Sequence, residues 1–344
     1  MDTLIIGGKI VNEGLISNAS LLISGEKIKE IFYNEIPDFY INNSKIIDVK
    51  GKYIIPGIID DHVHFREPGL TSKADIASES CAAVAGGVTS FMDMPNTVPP
   101  AINQDIIEEK FRLASEKSLA NYSFYIGASN ENAEELNKTD VKQICGVKVF
   151  MGSSTGNMLV DNKSTLEKIF ANIKIPVVVH SESESVIREN LFLYRQKYGD
   201  NIPFSCHSVI RSEEACFKSS LIATELARKY NTRLHLLHLS TEKEISLLDN
   251  NVTLENKKIT AEVCVNHLWF NDKSYLTKKG LVKCNPSIKC EKQRQALIDS
   301  VKSNHIDLIA TDHAPHLLSE KEKTYISCPS GIPSIQHSLV MMLE

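Results

Sequence analysis

No run of about 18 consecutive apolar residues occurs in this chain, so no segment of it reads as a membrane-spanning helix. The first residues, Met1-Asp2-Thr3-Leu4, lack the positive region and long apolar segment of a secretory signal, and the expected location is cytoplasmic. Positive charge is not in excess. The net charge is -5 and the pI near 6.1, which leaves no footprint for nucleic acid. The eight cysteines, Cys81, Cys145, Cys206, Cys216, Cys264, Cys284, Cys290 and Cys328, contain no CxxC pair. A chain of 344 residues has no need of disulfide staples, so reduced and mostly buried thiols are expected. Internal repeats and low-complexity tracts are lacking. Gly7-Gly8 does not have the spacing of a dinucleotide fingerprint and reads as a turn. What remains is a globular composition, 42% hydrophobic and 24% charged, long enough for one large α/β domain or two ordinary ones.

Short apolar, β-branched runs recur along the chain, separated by helical patterns. The expected strands are 53–64, 87–96, 121–129, 146–151, 176–182, 233–240, 258–267 and 306–314. Helices are expected over 72–85, 104–117, 212–230 and 289–303. Ser212, followed by Glu213-Glu214, is a candidate N-cap with acidic residues near the positive helix end. Eight strands alternating with helices, most of them apolar on both faces, imply a parallel sheet buried on both sides. Closed on itself, that is a (β/α)8 barrel spanning 53–344. Residues 1–52 differ: short strand runs with Gly, Asn and Ser turns and no helix imply a small β module, a partial β-sandwich, ahead of the barrel.

In such a barrel the chemistry sits where the strands end. The first strand ends in Asp61-His62-Val63-His64-Phe65-Arg66, and histidines at i and i+2 point to one face. A lone histidine there would more often be a packed core residue; two after an apolar run are better explained as metal ligands. The fifth strand ends in His180, the sixth carries His235 and His238, and the eighth ends in Asp312-His313. Imidazoles and a carboxylate around open positions suit zinc or a similar divalent ion. Lys148, amid the apolar residues of the fourth strand, is costly if buried unpaired. It either snorkels to the rim or is carbamylated and bridges two cations, and composition does not choose.

The segment Pro56-Gly57-Ile58-Ile59-Asp60-Asp61-His62-Val63-His64-Phe65-Arg66-Glu67-Pro68-Gly69 resembles the dihydroorotase and hydantoinase branch of the amidohydrolase superfamily. So do Met94-Pro95-Asn96-Thr97 and Ala310-Thr311-Asp312-His313-Ala314-Pro315-His316, and the likeness runs in order along essentially the whole chain. The resemblance implies reversible, metal-dependent hydrolysis of the cyclic amide of dihydroorotate to N-carbamoyl-aspartate, a step of pyrimidine biosynthesis. It implies two zinc ions, one held by His62, His64 and Asp312, the other by His180 and His238, with carbamylated Lys148 bridging them. His238 is preferred over His235 because the family's ligand directly precedes a pair like Leu239-Ser240. Asp312 would be the catalytic general base and acid. Arg66, Asn96 and His316 would hold the substrate carboxylate, and Asn285 with the backbone of Pro329-Ser330-Gly331 would meet the ring edge. The 152–158 loop would cover the site, with Ser154 or Thr155 in contact. The implied partner is the small-molecule substrate, with no nucleic acid or membrane, and the implied assembly a homodimer.

Two departures stand out. Val265 and Asn266 occupy positions where family members commonly have Pro and His; local packing consequences are expected, with His267 packing or orienting a neighbour. The chain also stops inside 334–344, which reads as the start of a closing helix, whereas family chains continue with further strands that join the N-terminal module. An incomplete closing helix, exposed apolar surface and low stability are expected of this form. Competing readings are a hydantoinase or allantoinase, which would have less use for Arg66, Asn96 and His316, and a non-catalytic assembly partner, which would typically have lost metal ligands.

Overall fold

The computed structural model describes residues 1–140, 142–152 and 158–344. The chain divides into two compact units, Met1–Ile58 and Ile59–Glu344. In the first, a four-stranded sheet pairs Asp2–Ile6 antiparallel with Ser20–Ser24 and parallel with Ser44–Asp48, and Lys27–Phe32 completes it. A second sheet joins Lys9–Asn12 to Leu15–Asn18 and to Tyr53–Ile54. A short helix, Asp38–Asn43, corrects the expectation that this module has none; it opens after Pro37, whose fixed φ suits a helix start.

The barrel is built from the eight strands β1 (Ile58–Val63), β2 (Val88–Asp93), β3 (Asn121–Gly127), β4 (Gly146–Phe150), β5 (Val177–His180), β6 (Leu234–Leu236), β7 (Ile259–Cys264) and β8 (Leu308–Ala310). All neighbours pair parallel in sequential order from β2 to β8. β1 and β8 are brought together at the site end: Val63 bridges His313 in parallel, and the His64 N–H donates to the His313 carbonyl (2.7 Å). The result is the nearly closed (β/α)8 barrel that the alternation implies.

Polar staples set the closure. The Thr311 hydroxyl donates to Asp60 Oδ2 (2.6 Å), and the Thr311 and His62 N–H groups share Asp60 Oδ1 (3.2 and 3.3 Å). The 104–117 helix has its expected limits, capped by the Asn103 side chain, and Ser212 caps Glu213–Tyr230 by accepting from the Ala215 N–H. Two expectations shift. The first barrel strand begins at Ile58, not 53, because Pro56-Gly57 interrupts it and sends Tyr53–Ile54 to the other sheet. The second helix begins at Ile76, not 72, because Asp75 forms the capping box and residues 66–73 turn beneath it. All eight cysteines are free thiols; Cys206, Cys216, Cys264, Cys284 and Cys328 are buried, whereas Cys81 is exposed.

Candidate metal and carboxylate site

One cavity of about 580 Å³ opens at the C-terminal ends of the barrel strands, and all ten residues singled out from the sequence line it. They are His62, His64 and Arg66 from the end of β1, Asn96 beyond β2, Lys148 on β4 and His180 on β5. His238 follows β6, and Asn285, Asp312 and His316 complete the set. His235 is not among them. It packs lower in the barrel against Thr260, Glu262 and Asp61, so the two histidines of the sixth run separate as expected.

The proton inventory of these groups decides what they can hold. His62 commits Nδ1–H to Glu262 Oε1 (2.6 Å) and His64 commits Nδ1–H to Asn96 Oδ1 (2.7 Å). In the neutral rings that a metal requires, their Nε2 atoms are lone pairs, and both lie near Asp312 Oδ1, at 3.2 and 3.0 Å. Against burial, Glu262 and Asp312 raise the His62 pKa. Burial pushes the His64 pKa down to about 4. Burial also works against the Asp312 carboxylate, yet His62, His64 and Lys148 hold its pKa at about 2. Three acceptors aimed at one another repel unless a proton or a metal cation lies among them. The set fits a divalent metal.

A second pair sits beside it. His180 donates Nε2–H to Glu182 Oε2 (2.9 Å), turning Nδ1 toward His238 Nε2 at 2.8 Å. His238 Nδ1 is buried with no partner among the described residues, a cost that a group held at Nε2 would offset. Lys148 is 1% exposed, so it does not snorkel to the rim. Burial lowers its pKa to about 8 against the pull of Asp312 and Glu262, which makes a neutral amine accessible near physiological pH.

Backbone strain marks the same residues. Arg66, His238 and Asp312 have φ of 69°, 40° and 48°, in the left-handed region that costs a non-glycine residue of order 1–3 kcal/mol. At the other end of the cavity, Arg66 Nε donates to the Pro315 carbonyl (3.0 Å) and Nη2 lies 3.0 Å from His316 Nε2. Asn285 Oδ1 accepts from Arg211 Nε (2.7 Å) and from the Ser330 hydroxyl (3.0 Å), which leaves its amide NH2 as a donor. Asn96, with Oδ1 taken by His64, likewise keeps its NH2. Asn266 donates to the Thr311 carbonyl and His267 Nε2 donates to that of Pro286, so this departure and the histidine beside it act in packing. Ser154 and Thr155 lie outside the described residues.

Four contributors escaped the sequence. Glu262 sits at the centre of β7, fully buried, and the argument applied to Lys148, a charge in an apolar strand, would have found it. Glu182 follows His180 by two residues and could have been found by the same-face rule used for His62 and His64. Arg211, which links Glu182 (3.1 Å) to Asn285, and Lys73, within the expected 72–85 helix, carried no signal.

A family model described as dihydro-orotase-like matches residues 51–223. The chain is 34% identical over 337 residues to a dihydroorotase of Methanosarcina acetivorans, covering 94% of this chain and 70% of that relative. It is 31% identical over 343 residues to a dihydroorotase of Pyrococcus abyssi, covering 99% and 74%. An L-hydantoinase (dihydropyrimidinase) of Arthrobacter aurescens superposes with a TM-score of 0.92 at 23% identity, covering 99% of this chain and 76% of that one. A dihydropyrimidinase of Brevibacillus agri superposes with 0.87 at 21% identity, covering 100% and 76%. At such identities the superpositions speak to the fold alone.

Proposed function

This chain belongs to the dihydroorotase family, and from that membership we propose that it interconverts dihydroorotate and N-carbamoyl-aspartate. The observation that carries this reading is the juxtaposition, in one cavity, of the cation donor set with Arg66, Asn96 and His316. A guanidinium fork and amide N–H groups suit a carboxylate, and a ring without an exocyclic carboxylate would leave them unused. That weighs against a hydantoinase or allantoinase activity, and retention of every implied ligand weighs against a non-catalytic scaffold.

His62, His64 and Asp312 would hold one zinc ion and His180 and His238 a second, with carbamylated Lys148 between them. The buried lysine near its neutral form supports carbamylation, because only the free amine combines with carbon dioxide. When bound, the metal supplies Lewis acidity, making hydroxide accessible near neutral pH and polarising a carbonyl.

Arg66 and Asn96 donate to the substrate carboxylate, with His316 beside Arg66 at that end of the cavity, and the Asn285 NH2 donates to a ring carbonyl. Asp312 takes the proton of the attacking water as the new C–O bond forms. It delivers that proton to the ring nitrogen as the C–N bond breaks, giving a carboxylate and a ureido group. In the biosynthetic direction the same carboxylate protonates the departing oxygen. Glu262 and Glu182 hold their histidines in the tautomers that turn the free nitrogens to the metal.

The resemblance also supports a homodimer in the cytoplasm, checked by sedimentation and by cell fractionation. No helix among the described residues is long and apolar enough to cross a membrane. The deciding experiment is cyclisation of carbamoyl-aspartate by purified protein with zinc and bicarbonate, beside a chelated control and Arg66→Ala. Metal-dependent turnover lost in the variant supports the reading. Turnover of hydantoin rings only would sink it.

A further inference from the structure

Four groups compete for the two ring nitrogens of His316. Lys73 Nζ lies 3.0 Å from Nδ1 and Arg66 Nη2 3.0 Å from Nε2. The Ser330 carbonyl lies 3.0 Å from Nε2, and Glu320 Oε2 3.7 Å from Nδ1. Lys73 and Arg66 only donate, so each calls for a bare ring nitrogen. The ring proton finds an acceptor at 3.0 Å from Nε2, the Ser330 carbonyl, and among the described residues none nearer than Glu320 at 3.7 Å from Nδ1, which leaves Nδ1 bare for Lys73. The single proton of the neutral ring is then on Nε2 and goes to the Ser330 carbonyl. Arg66 Nη2, also only a donor, faces an N–H and finds no acceptor on the imidazole. Burial, Arg66 and Lys73 together push the His316 pKa down to about 3, in keeping with a neutral ring.

Without the ammonium the balance reverses. Nδ1–H would turn to Glu320, Nε2 would become an acceptor, and Arg66 Nη2 would be captured by it. We propose that Lys73 is the specificity-determining residue at the carboxylate end of the cavity: it fixes the His316 proton on Nε2 and thereby keeps the Arg66 guanidinium free for the ligand. This rests on the dihydroorotase reading, in which that ligand group is the substrate carboxylate.

The charge count agrees. Lys73 lines the cavity with its side chain 20% exposed and pairs with Glu320 Oε1 at 3.1 Å. Glu320 offsets one of the two cations, and the remaining positive charge matches a single carboxylate. Glu320 is itself tied to the Leu317 N–H (3.1 Å), so it stays beside the lysine when a ligand enters.

The test uses zinc-loaded wild type, Lys73→Met and Lys73→Arg, assayed on dihydroorotate and on dihydrouracil, a ring of the same size without the carboxylate. The His316 tautomer is read in parallel from its nitrogen chemical shifts. Lys73→Met is expected to raise the KM for dihydroorotate about tenfold with a much smaller change in kcat. Its KM for dihydrouracil should stay put, the His316 proton should move to Nδ1, and Lys73→Arg should restore both. An equal loss on both rings, or an unmoved tautomer, overturns the proposal while leaving dihydroorotate turnover by the wild type intact. A wild type that turns over dihydrouracil but not dihydroorotate overturns the proposal and the parent reading together.

Discussion

Asp312 faces both histidine lone pairs of the first metal set, and under the proposed mechanism it also shuttles the proton. Because one carboxylate serves hydrolysis and cyclisation alike, Asp312→Asn is expected to cut both rates by at least about a hundredfold. Appreciable turnover in either direction would remove Asp312 from the role. Glu262 acts at one remove: its Oε1 accepts from His62 Nδ1 and from the His238 backbone N–H (3.0 Å) and so braces one histidine from each metal set. Glu262→Gln is expected to weaken zinc binding about 10- to 100-fold, read by competition with a chelator. Unchanged affinity would show that the two histidines orient themselves.

At the scale of elements, the helices and strands were legible wherever local chemistry decides them. Ser212 and the 104–117 periodicity marked two helices because caps and amphipathic spacing act within a few residues. Strand lengths were overestimated, as in 233–240 against Leu234–Leu236, because a run of apolar residues does not say where the ladder stops and the polar loop begins. His62, His64, Lys148, His180 and Asp312 were legible because strand ends are positions that sequence order reveals, whereas Arg66, Asn96, Asn285, His316 and the choice of His238 came from the family resemblance. The second tier, Arg211 and Lys73, depends on which loops meet, and that is set by tertiary closure. The 329–331 loop is an instance. Gly331 has φ of 149°, and a Cβ there would lie 2.5 Å from the Ala314 carbonyl oxygen, a backbone atom that cannot yield cheaply. Gly331→Ala is expected to cost about 1–3 kcal/mol of stability and to raise KM, measured by thermal unfolding and steady-state kinetics. A variant of wild-type stability and KM would show that the loop adapts.

For the molecule as a whole, buried acceptors facing one another make the folded state dependent on what binds them. Zinc is expected to stabilise the protein by about 4 kcal/mol at a thousandfold excess over its dissociation constant. Chelation should therefore lower the melting temperature by several degrees; a midpoint indifferent to chelator would mean that the cluster is held by protons instead. The (β/α)8 architecture followed from the count and order of strands, whereas the polar interior did not. Asp60, Glu262 and His235 occupy barrel positions that pattern alone assigns to aliphatic residues.

The left-handed backbone at Arg66, His238 and Asp312 reaches beyond catalysis, into how this protein can change. Glycine would adopt each of those conformations with less strain, so selection for heat resistance alone would drift toward it at all three positions, and each such step would delete a working side chain. Stability and activity thus pull against each other at three known addresses. Libraries built to toughen this barrel should hold them constant and seek their gains elsewhere.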